Sequence, residues 1–362
     1  MSEDEKATGY TTSQDTKATT DNLTDELRSL AREVLADHAR SQPAAPRVER
    51  DLDPGLWGTL RELGLTRLTG SEEHGGSGAG WAEAAVLLWE AAAHGVPVPM
   101  LEHDLLAGWL RDRAGLPAGD GTLATSVLVH EGDASVAVPW LGTATTVMVL
   151  DTRKTEPTAY EIAVADLDVT ADRTIAGEPR GWATLPPAAE VAGAVPVDPV
   201  VVREWEHRGA LGRAVQLAGA MDKVSSLCVE HAAERVQFGR PLGRFQAVQQ
   251  LVTEVACEAA LGRAVVERAV EAVAAHGLDD PHARFLVAAA KAATGHSVTR
   301  VVRHAHQVHG AIGTALEHPL QQLTRSLLAW RRDHGSTSAW EDRLETTALD
   351  DAGGDLWDTM AR

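Results

Sequence analysis

The sequence is poor in cysteine and in positive charge. Only two cysteines, Cys228 and Cys257, occur among 362 residues, and neither belongs to a CxxC pair. This scarcity excludes a disulfide framework and a structural zinc site and suits a reducing cytoplasm, so both thiols are expected to be buried packing residues. Acidic residues outnumber basic ones by 52 to 33, which gives a net charge of −19. Nucleic acids and anionic membranes are bound by basic patches, so neither is expected as a partner.

Long apolar runs and aromatic residues are also scarce. No run approaches the roughly 18 residues that a membrane span needs. The N-terminal stretch is acidic and polar, whereas a signal peptide would be basic and then apolar. Residues 1–22 offer almost nothing to bury and are predicted to be a disordered tail. Aromatics make up 4 % of the chain, and alanine and valine dominate its apolar residues, which favours a helix-rich protein.

Helical patterns occupy residues 23–119, and the pattern then changes. A glycine-rich loop, TGSEEHGGSGAG, separates the second predicted helix from the third. Between residues 120 and 200, short β-branched runs such as SVLVHEG and TTVMVLDT predict six to eight strands. We therefore expect an N-terminal helical domain followed by a small inserted β domain. The four helices of the first domain are predicted at 23–40, 53–64, 81–95 and 101–115.

From Val201 onward the pattern is helical again. Small and apolar residues recur every three or four positions from Phe245 to Val273, as along the buried seam of a long helix that ends at Gly277. Two more helices are predicted at about 282–308 and 319–332. The fold class is mainly α with an inserted small β domain, with a helical bundle at 201–346 and an acidic tail at 347–362.

Two segments carry residues suited to binding an anion. Arg235, Arg240 and Arg244 cluster around a Gly-Arg-Pro-Leu-Gly turn in a strongly acidic chain, and arginine is the side chain best suited to phosphate. In the segment QVHGAIG, Gly310 and Gly313 would let the backbone approach a ligand closely. On Arg235 alone, pairing with Glu234 or Asp222 on a solvated face is the better explanation of the charge.

Glu317 is the candidate base. It stands two residues before Pro319, at the start of a predicted helix. A carboxylate surrounded by Ile312, Leu316 and Leu320 would be partly desolvated, which makes it a better base near neutral pH. The alternative is a plain carboxylate placed favourably at a helix N-terminus.

Three segments at consistent spacing resemble the acyl-CoA dehydrogenase family. They are ELGLTRLTGSEEHGGSG (62–78), ERVQFGRPLGRFQAVQQ (234–250) and QVHGAIGTALEHPLQQLTR (307–325). The resemblance spans about 300 residues. It implies a helical domain, a β domain and a C-terminal four-helix bundle. It also implies an oligomeric FAD flavoprotein of fatty acid or steroid metabolism, an oxidoreductase that desaturates the α,β CH–CH bond of an acyl thioester.

The resemblance also implies a role for each site residue. Glu317 would remove the α-proton, while the β-hydrogen leaves as hydride to the flavin, whose electrons pass to an electron-transfer flavoprotein or similar acceptor. Arg235 and Phe238 would contact the pyrophosphate and adenine end of FAD, and Gln246 the adenine side. These residues serve a neighbouring subunit's flavin. The pyrophosphate itself would be wrapped by the backbone of Gln307, Gly310, Ala311 and Gly313.

Two departures from the family pattern are visible. Ala311 stands where a second glycine is usual. The Thr-Glu-Pro…Gly-Ser-Asp and Trp-Ile-Thr segments that cover the flavin are missing, since the Thr-Glu-Pro at 155–157 lies in another context and is taken as chance. The short β domain is similar to that of the small subunit in mixed dehydrogenases, some of which act on steroid side-chain thioesters.

Several alternatives therefore stay open. The chain could be a non-catalytic subunit that offers half a site to a partner, or an acyl-thioester oxidase or biosynthetic variant on the same fold. The acyl group could be carried by coenzyme A or by a carrier protein, in a homo-oligomer or a mixed oligomer. A metal is not expected, because the spacing of His304, His306 and His309 does not place all three on one helix face.

Overall fold

The computed structural model describes residues 24–41, 48–119 and 121–350. The predicted tail at 1–22 lies outside these ranges. Four helical segments come first, close to their predicted positions. Helix α2 begins where the sequence indicates, because Pro54 takes its first position and the Asp53 carboxylate accepts the N–H groups of Gly55 and Leu56 at 2.8 and 3.0 Å. The segments are α1 (24–41), α2 (Pro54–Glu62), α3 (Trp81–Ala93) and a buried π-helix (Leu101–Gly108) that continues as α4 (Trp109–Arg113).

Seven short strands follow, within the expected six to eight. They form two sheets, of order β1-β3-β4-β7 and β2-β6-β5, with β1 and β3 parallel. Val147, Val149 and Tyr160 are fully buried in the core of this β region. The strands are β1 (Ala124–Val129), β2 (Val136–Pro139), β3 (Thr146–Asp151), β4 (Thr158–Ala163), β5 (Val169–Arg173), β6 (Pro179–Ala183) and β7 (Val195–Pro196).

Long helices make up the C-terminal half. The Asp198 and Asp280 carboxylates cap α5 and α7, each of which has proline at its first position. No helix in the described ranges is long and apolar enough to cross a membrane. The helices are α5 (Pro199–Glu234), α6 (Gln246–His276), α7 (Pro281–His309), α8 (Pro319–Trp330) and α9 (Thr337–Asp350).

The structure adds two elements that the helical pattern did not predict. A small hairpin of β8 (Val236–Gln237) and β9 (Arg240–Pro241) separates α5 from α6. Helix α9 extends four residues into the stretch assigned to the acidic tail, and residues 351–362 of that tail lie outside the described ranges. Helix α9 is anchored by the buried Trp340, whose indole N–H donates to the His334 carbonyl oxygen at 2.8 Å.

Most of the predicted seam of α6 is buried. Val255, Ala259, Gly262, Val266, Ala269 and Val273 all lie in the core, whereas the first turns of the helix stay partly exposed.

The expectation that both cysteines are buried is correct for one of them and wrong for the other. Cys228 is fully buried, and burial raises its pKa to about 12. Cys257 lies on the exposed side of α6, because it falls two positions before the buried Ala259 on the helix.

Helix α5 approaches α3 closely at Gly219, and this contact predicts how a methyl group added there changes the stability. A Cβ on Gly219 would lie 2.7 Å from the Trp89 carbonyl oxygen, whereas a Cβ on Gly58 in α2 would meet nothing within 4 Å. Gly219→Ala should lower the free energy of unfolding by about 1–3 kcal/mol. Gly58→Ala, the matched control, should raise it by up to about 1 kcal/mol. Urea unfolding measures both, and equal stability of Gly219→Ala and wild type would contradict the close approach.

Candidate active site

The predicted cofactor residues Arg235, Phe238 and Gln246 lie together on one outer surface, the hairpin surface (residues 235–246). Phe238 sits in the hairpin turn with φ of +53° and is 91 % exposed. The Arg240 guanidinium lies over the Phe245 ring, 4.1 Å from its centroid, and holds the base of the hairpin. Gln246, the first residue of α6, is exposed. The surface thus offers its aromatic and polar groups to an external ligand.

No ion pair within the described part of the chain neutralises the charge of Arg235. Arg235 is exposed and forms no ion pair with any acid of the described residues. Asp222, one of the two acids considered for it, instead binds Arg263 at 2.5 Å. The simple surface ion pair considered for Arg235 is therefore not found, and its guanidinium is available to an anion.

The segment predicted to wrap a pyrophosphate is a turn of 3₁₀ helix, Gly310–Thr314. Gly310 has φ of +63° with open space beside it, and Gln307, Gly310 and Ala311 are all exposed. Gly313 differs from these three residues. It is buried, and a Cβ there would lie 2.8 Å from the Cβ of His309, so close packing requires this glycine.

A histidine cluster ties the ends of three helices beneath this turn. The rings of His231 (α5) and His309 (α7) stack at 4.4 Å, and His318, before α8, meets His309 edge-on at 5.0 Å. Burial lowers the pKa of all three histidines, so the cluster is neutral at pH 7. No group of three or more His, Cys, Asp or Glu side chains in the described ranges is arranged to hold a metal ion.

The structure exposes Glu317, so the expectation that it is desolvated is wrong for the single chain. Ile312 and Leu316, expected to surround it, are 52 % and 43 % exposed. The N-cap of α8 is His318, whose Nδ1 accepts the Leu320 N–H at 3.1 Å. Glu317 therefore does not cap α8, and like Gly310 and Ala311 it is exposed.

A separate, central cavity of about 430 Å³ lies between the β region and the helices. Strand β1 contributes Ser126, the segment after β2 contributes Trp140, and α5 contributes Trp205 and Arg213. The Trp205 indole N–H donates to the Ser126 hydroxyl oxygen at 3.0 Å, which joins the β region to α5. None of the predicted site residues lines this cavity.

Each carboxylate in the wall of the central cavity is held by a partner. Glu178 accepts the Trp330 indole N–H at 3.1 Å and lies 3.8 Å from Arg50. Glu206 pairs with Arg343 at 2.8 Å, and Asp333 pairs with Arg213 at 3.1 Å. All three carboxylates are thus engaged by other side chains, and burial raises the pKa of Glu178 above its ordinary value.

Sequence reasoning missed His334, which also lines the cavity. Its backbone has φ of +54°, and its ring packs 5.1 Å from that of Trp205. Burial, together with the charges of Arg213 and Lys291, places the pKa of His334 well below its ordinary value, so the ring is neutral. The strained backbone of a non-glycine residue beside a cavity marks it as a candidate functional position, and no sequence motif signals it.

Comparison with known proteins connects these features to a family. Residues 202–338 match the family described as "Acyl-CoA dehydrogenase, C-terminal domain", and residues 18–118 match "Acyl-CoA dehydrogenase, N-terminal domain". The acyl-CoA dehydrogenase IpdE2 of Mycobacterium tuberculosis is 30 % identical over 331 residues, which cover 88 % of this chain and 93 % of that protein.

Solved structures agree with this assignment at the level of the fold. The ChsE4–ChsE5 complex from M. tuberculosis has a chain that superposes with a TM-score of 0.79 at 22 % identity, covering 90 % of this chain and 97 % of that one. A glutaryl-CoA dehydrogenase from Mycobacterium smegmatis, in complex with FADH₂, superposes with a TM-score of 0.72 at 12 % identity, covering 89 % and 95 %.

The helical halves, the inserted β region and these matches define an acyl-CoA dehydrogenase fold, as the sequence predicted. The chain belongs to the acyl-CoA dehydrogenase family, whose members are flavoprotein oxidoreductases acting on the CH–CH bond of acyl-CoA. The resemblance stated from the three segments is confirmed.

The buried charge of Arg213 predicts a large loss of stability. Its guanidinium binds Glu102, Gln216 and Asp333, and the Arg213 and Glu102 side chains are 5 % and 1 % exposed. Arg213→Met should lower the free energy of unfolding by about 3–5 kcal/mol, because Glu102 would remain buried without its partner. Arg300→Met, the control, removes the exposed partner of Glu258 and should leave the free energy of unfolding nearly unchanged. Chemical denaturation measures both variants, and an equal loss of stability in Arg213→Met and Arg300→Met would contradict the structural role of Arg213.

Proposed function

We propose that the chain takes part in the FAD-dependent α,β-desaturation of an acyl thioester. The observation that carries the proposal is the hairpin surface with the neighbouring Gly310–Thr314 turn. There an unpaired arginine, an exposed aromatic ring and open backbone face outward together. Membership of a flavoprotein family supports FAD as the ligand of this surface.

The residues present fit the phosphate and adenine end of FAD. Arg235 carries a free positive charge for the pyrophosphate, and Phe238 offers a ring face to the adenine. Gln246 supplies donors and an acceptor for the adenine edge, while Gln307, Gly310 and Ala311 border the phosphates. When bound, FAD supplies the redox chemistry by accepting the β-hydrogen as hydride. The protein binds and orients the flavin and removes a proton.

Because these residues face outward, we place the flavin between two chains. The exposed apolar side chains Val236, Phe238, Ile312 and Leu316 flank the same surface, and covering them would stabilise an assembly. The partner is a second copy or a second dehydrogenase-like chain, as in the complex of ChsE4 with ChsE5. We further propose a cytoplasmic enzyme that passes its electrons to an electron-transfer flavoprotein or similar acceptor.

In this assembly we propose Glu317 as the base for the α-proton. In the single chain its carboxylate is in water, next to the half-exposed Ile312 and Leu316. A chain packed over these two residues would remove water from around the carboxylate and so strengthen it as a base. The proposal therefore ties the activity of Glu317 to assembly.

Glu317→Gln tests this role. Turnover of an acyl-CoA with a dye acceptor should fall by about 10²–10⁴-fold, the usual contribution of a general base, because the amide accepts no proton. Bound flavin, read from the visible spectrum, should stay at the wild-type level. Glu62→Gln, on the exposed side of α2, is the control and should leave turnover unchanged. Retained turnover in Glu317→Gln would remove Glu317 from the mechanism.

The paired carboxylates of the central cavity favour a second candidate function. With Glu178, Glu206 and Asp333 all engaged, this chain would act as a half-site subunit that lends its hairpin surface to a catalytic partner. The two candidates differ in which chain holds the reacting substrate.

Flavin content separates the two candidate functions. The chain is purified alone and co-expressed with a second acyl-CoA dehydrogenase-like chain, and the flavin per chain is measured by absorbance at each stage. A half-site subunit should be colourless alone and carry flavin only in the mixed assembly, where Arg235→Met should abolish flavin binding. Bound flavin and turnover in the chain purified alone would exclude the half-site function.

A further inference from the structure

Two rings of the histidine cluster lie at the bases of the hairpin surface and of the Gly310–Thr314 turn. His231 is one helical turn before Arg235, whose backbone N–H donates to the His231 carbonyl oxygen at 2.9 Å. His309 directly precedes the turn. Their rings stack with centroids 4.4 Å apart and an interplanar angle of 28°. This ring contact therefore fixes the end of α5 that leads into the hairpin against the end of α7 that leads into the turn.

The third ring belongs to the residue that follows Glu317. His318 meets the His309 ring edge-on at 5.0 Å, and its Nδ1 accepts the Leu320 N–H at 3.1 Å. The turn also folds back on the cluster, because a Cβ on Gly313 would lie 2.8 Å from the Cβ of His309. The hairpin, the turn and the residue proposed as the base thus share one support.

Hydrogen bonds fix the tautomers of two rings on α7. His309 donates from Nδ1 to the Ala305 carbonyl oxygen at 2.9 Å, so its Nε2 carries a lone pair. His306 donates from Nε2 to the Thr324 hydroxyl oxygen at 3.0 Å, since that hydroxyl itself donates to the Gln321 carbonyl oxygen. The remaining nitrogen of each ring is buried and has no partner among the described residues. Each of these nitrogens can take up a proton without breaking a hydrogen bond.

No acid lies at the cluster to compensate a positive charge. Burial lowers the pKa of His231, His306, His309 and His318, and the mutual repulsion of charged rings lowers the pKa of His231, His306 and His318 further. Among the described residues, Arg235 is the only other charged group that acts on these rings, and it also lowers the pKa of His231. A proton taken up here would therefore be an unpaired charge beneath the turn.

We propose that the stack of His231, His309 and His318 positions the hairpin surface, the Gly310–Thr314 turn and Glu317 relative to one another, and that a proton taken up by the stack releases them. The inference rests on the proposed function and adds a control of the same site by acid. The three histidines are positioning residues, because they act through the groups that they hold.

The direction of the pH effect follows from the lowered pKa of these histidines. A ring that is neutral in the stack and returns to its ordinary pKa of 6.5 on release stabilises the positioned site above pH 6.5. Below that pH the released form binds more protons, so the stabilisation falls. For each proton taken up, the equilibrium shifts toward release by up to about tenfold per pH unit.

Binding of FAD to the assembled protein, measured by flavin fluorescence, tests the release. The wild-type affinity should fall by about tenfold or more between about pH 7.5 and about pH 5.5. His231→Phe keeps a stacking ring that takes no proton, so it should bind like the wild type at the higher pH and lose less affinity at the lower one. An affinity of the wild type for FAD that is equal at both pH values would overturn the proposal.

His231→Ala tests the positioning role. Removing one ring from the stack should weaken FAD binding by about tenfold already at about pH 7.5, because a contact of about 1 kcal/mol between rings is lost. The Phe variant at the same position should restore the affinity. His276→Ala, at the exposed far end of α6, is the control and should follow the wild type at both pH values.

Hydrogen exchange in the chain alone separates this inference from the proposed function, because it needs no flavin. The backbone amides of residues 235–246 and 310–318 should exchange faster in His231→Ala than in the wild type at the same pH. At about pH 5.5 they should exchange more slowly in His231→Phe than in the wild type. A chain that binds no FAD in any assembly contradicts the proposed function, and faster exchange in His231→Ala would still support the stack. Exchange in His231→Ala equal to that of the wild type would overturn the proposal.

Discussion

The buried guanidinium of Arg213 fixes the relative positions of the elements around the central cavity. It projects from α5 to Glu102 in the π-helix, to Gln216 one turn along α5, and to Asp333 in the loop before α9. A charge taken out of water must find partners at defined distances, whereas apolar contacts tolerate sliding. The positions of the π-helix and of the loop that carries His334 are therefore set by one side chain.

A second buried ion pair attaches the β region to the helices around the central cavity. Glu178, at the edge of β6, lies 3.8 Å from Arg50 and accepts the Trp330 indole N–H. Arg50 in turn donates to the Ser326 hydroxyl oxygen at 2.5 Å and to the Gly95 carbonyl oxygen at 2.6 Å. The N-terminal helices, the β region and α8 thus meet through polar groups with fixed directions. Such groups cannot fill space as aliphatic side chains do, and a cavity remains beside them.

Local signals in the sequence predicted most of the fold. Proline at the first position of α2, α5, α7 and α8 marks where each helix begins, and three of these helices have an aspartate cap. The strands followed from β-branched runs. The hairpin of β8 and β9 was missed because each strand has two residues, and α9 because a single buried tryptophan anchors an otherwise polar helix.

The candidate sites differ in the same way, because some depend on local sequence and others on tertiary packing. The hairpin surface and the Gly310–Thr314 turn are each one continuous segment of the sequence, so a sequence motif can identify them. The central cavity brings together Ser126, Glu178, Trp205 and His334, which only tertiary packing places side by side. Burial is equally a tertiary property. The apolar neighbours of Glu317 in sequence predicted a shielded carboxylate, yet Ile312 and Leu316 remain about half exposed, whereas Leu320 lies in the core.

The separation of the hairpin surface from the central cavity has a consequence for assembly. None of Arg235, Phe238 and Gln246 lines the cavity, so the hairpin surface and the cavity are separate places on one chain. In a two-fold dimer, each hairpin surface can serve the cavity of the other chain. In a mixed pair only one cavity must react, which frees the other to bury paired carboxylates.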